Sequence, residues 1–251
     1  MARQNHDISN HGAFDLGQEG GVESRVLIVI PARDEAATVG TVVRTVREAG
    51  LFTILVVNDC STDDTAARAA EAGAVILSPA LPLGAWGAIQ TGMRYAEKRG
   101  FDCVVTLDGD GQHESHFVPE LLEEIRSGEA DVVIGAYPER GSPARRLAWA
   151  FFRKLTGFEF ADLTSGFRAY NRQAIELLSD EEATLLDYQD VGVLLLLRRG
   201  GLRIVEVPVS MRPRSNGVSR VFSSWWVVFR YLLETGVLCL AHWGWRRRAS
   251  A

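Results

Sequence analysis

The chain has 251 residues, 47% of them apolar, enough to bury one sizeable core, and a single domain with appendages is the expectation. A formal charge of -5 argues against a general nucleic-acid binder, which needs a clustered basic surface to meet phosphates. The three cysteines, Cys60, Cys103 and Cys239, are odd in number and lack metal-ligand spacing, which fits a reducing compartment better than a disulfide framework.

Residues 1–24 are polar and hold no apolar stretch, so a disordered tail is expected there rather than a signal peptide or a transmembrane helix. From Val26 the pattern changes to short runs rich in Val and Ile, at 26–30, 53–57, 74–77, 103–107 and 131–134. Such nearly continuous apolar runs suit strands buried on both faces. The stretches between them, 35–49, 62–72, 85–99 and 116–127, are long enough for helices, and Ser61 with Asp64 three residues on resembles a capping box. The alternation predicts an α/β fold with a largely parallel sheet between helices, which binds ligands beyond the carboxyl ends of its strands. Past Gly135 the rhythm breaks at Pro138, Gly141 and Pro143; a helix follows at 144–156, one strand returns at 202–207, and 213–217 reads as a mobile loop.

Residues 221–245 are the most apolar and aromatic part of the chain, yet Arg230 and Glu234 fall in the middle. An amphipathic helix lying in a membrane interface is expected, with Arg246, Arg247 and Arg248 as a basic end; a helix docked on the domain is the alternative. The expected organisation is a tail at 1–24, a domain at 25–215, and a late loop with a membrane-interfacial segment at 216–251.

The chemistry concentrates after the apolar runs. Asp108-Gly109-Asp110-Gly111-Gln112-His113 places two carboxylates around a glycine at a strand's carboxyl end. Alternate carboxylates there suit a divalent ion that also takes diphosphate oxygens, with the Gln112 amide oxygen as a further ligand. His113 reads as a ligand, a phosphate donor or a helix-start residue, and no Cys and His cluster supports zinc. Pro31-Ala32-Arg33-Asp34-Glu35 and Asn58-Asp59-Cys60-Ser61-Thr62-Asp63 follow two earlier strands, where carboxylates can accept hydrogen bonds from a base or ribose. Helix capping is the competing reading for Asp34, Ser61 and Asp63, and a less natural one for Asp59.

These motifs, with Asp162-Leu163-Thr164-Ser165-Gly166-Phe167-Arg168 fourth in order, resemble glycosyltransferase family 2 and its branch of dolichyl-phosphate or polyprenyl-phosphate sugar synthases over residues 26–220. The resemblance implies a GT-A fold, a UDP- or GDP-linked sugar donor, Mg²⁺ or Mn²⁺, and inversion at the anomeric carbon. By position it assigns Pro31, Ala32, Glu35, Asp59 and Asp108 to the nucleotide sugar, Asp108, Asp110 and Gln112 to the metal, and Arg168 to phosphates near the reaction centre. It further assigns Arg145, Arg146 and Ser165 to the phosphate of a polyprenyl acceptor, and Arg220, with Arg212 or Arg214, to closure over the donor. The chain departs from the pattern at Cys60, where glycine is usual, at Leu83-Gly84-Ala85-Trp86-Gly87, in place of Gly-Lys-Gly, and at Gly135-Ala136-Tyr137, which lacks an arginine.

A lipid-phosphate acceptor implies a peripheral enzyme on the cytoplasmic face of a membrane and needs no protein base, since its phosphate is already ionised. A hydroxyl acceptor calls for a base, for which Asp190 in Tyr188-Gln189-Asp190 is the candidate. The remaining alternative is a non-catalytic nucleotide-sugar-binding module on the same fold.

Overall fold

The computed structural model describes residues 25–140, 143–186 and 190–212, apart from the side chains of residues 140, 143–145 and 185. The expected tail, the late loop with Arg214 and Arg220, the aromatic segment, and Tyr188 and Gln189 lie outside the described residues. The strands are β1 (Val26–Ala32), β2 (Thr53–Asn58), β3 (Val75–Leu77), β4 (Cys103–Thr106), β5 (Val132–Ala136), β6 (Arg168–Tyr170) and β7 (Ile204–Pro208). The helices are α1 (Val39–Ala49), α2 (Thr65–Glu71), α3 (Gly84–Arg99), α4 (Val118–Arg126), α5 (Pro143–Thr156), α6 (Arg172–Ser179) and α7 (Val191–Arg199).

The strands form one sheet in the order β3-β2-β1-β4-β6-β5-β7. The expectation of a parallel sheet needs one correction. β6 runs antiparallel to both β4 and β5, while the other neighbours run parallel, so the sheet is mixed. Because β6 is reversed, its first residue, Arg168, lies opposite Thr106 and Ile134 near the carboxyl ends of β4 and β5. The loop before β6 therefore reaches the same rim as the loops after β1, β2 and β4.

Side chains alternate across the sheet, as the strand pleat requires. Leu27, Val29, Leu55, Val104 and Tyr170 pack on one face with Trp86 and Met93 of α3, Trp149 and Phe152 of α5, Ile175 of α6 and Leu194 of α7. Ile28, Ile30, Val56, Val105 and Ala169 pack on the other with Val39 and Val43 of α1, Ala69 of α2 and Leu121 of α4. Each fully buried Leu, Ile or Val contributes about 1.5–3 kcal/mol, so these two faces fix the sheet whose rim carries the loops. Cys103 lies inside the second face, where burial first and the neighbouring Asp102 second push its thiol up to about 11. It is a packed, unreactive thiol. Among the described residues no helix is long and apolar enough to cross a membrane.

Candidate active site

The loops after β1 and β2 are laced together. The Asp34 N–H donates to Ser61 Oγ at 3.0 Å, the Thr62 N–H to Asp34 Oδ1 at 2.8 Å, the Glu35 N–H to Thr65 Oγ1 at 2.7 Å and the Ala36 N–H to Asp63 Oδ2 at 3.1 Å. Asp63 also accepts from the N–H and the hydroxyl of Thr65. Burial works to raise the Asp63 carboxyl, but the hydrogen bonds from Thr65 and from the backbone of Ala36 and Thr65 outweigh it and lower it. The capping box expected from Ser61 and Asp64 is corrected by this lacing: Ser61 serves Asp34, and neither Thr38 before α1 nor Asp64 before α2 caps its helix through its side chain.

Asp59 is 4% exposed, and its two oxygens accept from the N–H groups of Leu83 at 2.6 Å and Gly84 at 3.0 Å. Its carboxylate thus holds the start of α3, a capping role reached across the chain rather than on its own loop. Cys60 has φ +55°, the left-handed region that glycine enters at least cost, which explains why glycine is the usual residue at that place. Trp86 is a core residue whose Nε1 donates to the Ala183 carbonyl at 2.7 Å, so the stretch 83–87 buries its aromatic ring instead of presenting a cation.

The loop after β4 rests on the first of these loops. A Cβ on Gly109 would lie 3.4 Å from the Pro31 carbonyl oxygen, 3.5 Å from Ala32 Cβ and 3.6 Å from Glu35 Cγ. The Thr38 hydroxyl donates to the Gly109 carbonyl at 2.7 Å. Pro31, Ala32 and Glu35 are thereby gathered beside Asp108 and Asp110. The Asp108 N–H donates to His113 Nδ1 at 3.0 Å, which leaves the imidazole proton of neutral His113 on Nε2, 3.7 Å from Asp108 Oδ2. His113 is buried and stacks on Phe167 with ring centroids 5.3 Å apart. Of the three readings of His113, the geometry gives a fourth: a brace that ties the acidic loop to the fourth motif. Asp110 Oδ1 accepts from the Gln112 N–H at 3.0 Å.

From the opposite side comes the loop before β6. The Thr106 hydroxyl donates to the Gly166 carbonyl at 2.6 Å, and a Cβ on Gly166 would lie 2.9 Å from Asp108 Oδ1. Any larger residue there would make that carboxylate shift. Ser165 is buried, and its hydroxyl donates to the Gly135 carbonyl at 2.6 Å. The hydroxyl that the resemblance assigns to the acceptor phosphate is thus directed into the fold. Arg168 is fully buried; its Nη2 donates to the Leu163 carbonyl at 3.0 Å, while Nε and Nη1 find no hydrogen-bond partner among the described residues. A buried cation in that state has strong demand for an anion.

Arg146 is exposed on the first turn of α5, and the Arg145 side chain is outside the described residues. Asp190 is buried and caps α7, its Oδ1 accepting from the Gly192 N–H at 3.2 Å. Glu206 of β7 was not singled out by motif: its Oε2 accepts from the Ala161 N–H at 2.8 Å and its Oε1 from the Asp162 N–H at 2.9 Å. A lone carboxylate in the apolar run 202–207 was the available signal. Asp110 also lines a cavity of about 480 Å³ toward α1, bordered by Thr38, Thr41, Glu114, His116 and Arg212.

No group of three or more His, Cys, Asp or Glu side chains converges as a metal site among the described residues. The fit for a hard divalent cation rests instead on Asp108, whose carboxylate is 44% exposed and sits in the space that Gly166 leaves, with Asp110 and Gln112 on the same turn. Few protein oxygens and a ligand that supplies the rest is the usual arrangement for Mg²⁺.

The chain is 33% identical over 214 residues to the undecaprenyl-phosphate mannosyltransferase of Micrococcus luteus, covering 78% of this chain and 87% of the relative. It is 27% identical over 242 residues to the polyprenol monophosphomannose synthase of Mycolicibacterium smegmatis, covering 89% and 88%. Its fold matches the crystal structure of glucosyl-3-phosphoglycerate synthase from Mycobacterium tuberculosis in complex with Mg²⁺ and UDP, with a TM-score of 0.61 and 26% identity over 78% of this chain and 73% of that one. The sheet and its rim loops are thus GT-A-like. Residues 27–178 match the model of glycosyl transferase family 2, and with the acidic loop, its brace and the glycine that makes room for Asp108 in the same span, the chain belongs to that family and is a glycosyltransferase.

Proposed function

We propose that the protein transfers a sugar from a nucleotide-diphosphate sugar to a polyprenyl phosphate at a membrane surface, inverting the anomeric carbon. The observation that carries the acceptor class is the outer face of α5, where Arg146, Leu147, Ala150, Phe151 and Lys154 are all exposed and fall on one side of the helix. Leu147 is 74% and Phe151 51% exposed. Apolar and basic side chains sharing one face suit an interface of acyl chains and anionic headgroups. The names of the two bacterial relatives support the same acceptor.

In this reading Pro31, Ala32, Glu35 and Asp59 form the nucleoside end of the donor cleft. Asp108, Asp110 and Gln112 hold a divalent cation, Mg²⁺ or Mn²⁺, which when bound neutralises charge on the departing nucleoside diphosphate. Arg168, whose Nε and Nη1 lack a partner among the described residues, is the buried cation assigned to phosphate oxygens, Arg145 and Arg146 are assigned to the acceptor phosphate, and Arg220, outside the described residues, to the donor. A phosphate oxygen of the acceptor attacks the anomeric carbon as the bond to the diphosphate breaks. The acceptor's second pKa of about 6 leaves it ionised at neutral pH, so no protein base is required, and the protein's contribution is orientation and charge stabilisation. A hydroxyl acceptor with Asp190 as base has less support, because that carboxylate is buried and engaged in capping α7.

The test is incubation of the full chain with Mn²⁺, undecaprenyl phosphate in anionic vesicles, and a panel of UDP- and GDP-sugars, with mass spectrometry of the lipid fraction and Asp110→Ala as control. A metal-dependent glycolipid absent with the variant is expected. Donor turnover onto a soluble alcohol with no lipid product would move the acceptor to a hydroxyl, and donor binding without any turnover would favour a non-catalytic module.

A further inference from the structure

The segment that leaves β7 does not run free of the site. The Val209 N–H donates to the Ala136 carbonyl at 3.0 Å, Met211 forms a bridge with His113, and the Arg212 N–H donates to the Gln112 carbonyl at 2.9 Å. Gln112 Nε2 in turn lies 3.5 Å from the Arg212 carbonyl. One side chain gathers this segment: Glu114, 19% exposed, accepts from the Ser210 hydroxyl through Oε1 at 2.5 Å, while its Oε2 lies 3.7 Å from Arg212 Nε and 3.8 Å from His116 Nδ1.

We infer that Glu114 is a positioning residue for the cation site, acting through Arg212 on the amide of Gln112. The argument follows the atoms. An amide that turns its nitrogen toward a carbonyl has its oxygen directed elsewhere, and an amide oxygen is the atom a hard cation takes. The Arg212 carbonyl selects that orientation of Gln112, and Glu114 fixes where Arg212 stands by holding both its guanidinium and the Ser210 hydroxyl. The acidic loop and the segment after β7 are therefore tied together through Gln112, Arg212 and Glu114. Glu114 itself is neither among the assigned cation ligands nor part of the four motifs, and the role assigned to it rests on the reading of Asp108, Asp110 and Gln112 as a cation site.

The experiment is a titration of the full chain with Mn²⁺, followed by the electron paramagnetic resonance signal of free Mn²⁺, with and without UDP. Glu114→Ala is expected to weaken Mn²⁺ binding about tenfold, the scale set by groups that orient metal ligands, and Glu114→Gln, which keeps an acceptor for Ser210, to weaken it less. Because Glu114 acts through Gln112, the double variant Gln112→Ala/Glu114→Gln is expected to bind no more weakly than Gln112→Ala alone. Unchanged affinity in both Glu114 variants, or losses that add in the double variant, would overturn the inference. Wild-type protein that binds no Mn²⁺ would instead defeat the cation-site reading on which it rests.

Discussion

A single methyl group separates Gly166 from any other residue at its position, and the methyl has nowhere to go but into Asp108. Gly166→Ala places Cβ 2.9 Å from Asp108 Oδ1, well inside van der Waals contact, so the carboxylate must swing away. Relieving the contact takes a shift of roughly 0.5 Å, and since a misplacement of about 1 Å at a reacting centre costs roughly a hundredfold in rate, a loss of roughly tenfold is the expected scale. The variant is expected to lose about that much kcat/KM while its melting temperature stays near that of the wild type; full activity would mean that the carboxylate is not needed where it stands. The Asp108 and Asp110 pair is legible in the sequence because a strand runs straight into it. The need for glycine 58 positions later is not, because only the reversed strand brings Gly166 to Asp108.

At the scale of elements, β7 is more than an edge strand. Glu206 gives one oxygen to each of two successive N–H groups, those of Ala161 and Asp162, and so holds the loop that leads to Arg168. Glu206→Gln supplies only one acceptor there and turns an NH₂ toward the other donor. The unsatisfied donor costs about 1–3 kcal/mol, which for a chain of this size lowers the melting temperature by about 2–4 °C per kcal/mol. Calorimetry showing no loss would place the loop under other control. Six of the strands and most of the intervening helices follow directly from apolar runs and their spacing. β6 escaped that reading because it is three residues long and contains Arg168, whose charge hides a strand buried on both faces. α1 starts at Val39 rather than Glu35 because the intervening residues are held by the second loop, through hydrogen bonds between positions 27 to 30 apart that no local pattern displays.

For the whole molecule, the question is where the rim of the sheet faces. The exposed Leu147 and Phe151 lie on α5 beside Arg146 and Lys154, on the helix that follows the carboxyl end of β5. Each large apolar side chain buried in an interface contributes about 1.5–3 kcal/mol. Leu147→Asp with Phe151→Asp is therefore expected to lower flotation with anionic vesicles by tenfold or more, while donor hydrolysis in solution is unaffected; equal flotation would remove α5 from the contact. The sequence drew attention to the aromatic stretch at 221–245 as the membrane element and read α5 only for its arginines. Exposure of the apolar pair depends on which face of α5 the core takes, and Trp149 and Phe152 take the other one.

The reversed strand has a further consequence, for the order in which the fold is assembled. β6 is the link between β3-β2-β1-β4 on one side and β5-β7 on the other, so each part of the sheet is completed only when β6 is seated between them. The loops after β1 and β2 belong to the first part and can close early, since β1 and β2 are near neighbours in the chain. Gly166 and Arg168 arrive with the seam strand. In the proposed reading, the loops after β1, β2 and β4 can be ordered by one part of the sheet, whereas the buried guanidinium of Arg168 and the glycine facing Asp108 join them only in the finished molecule.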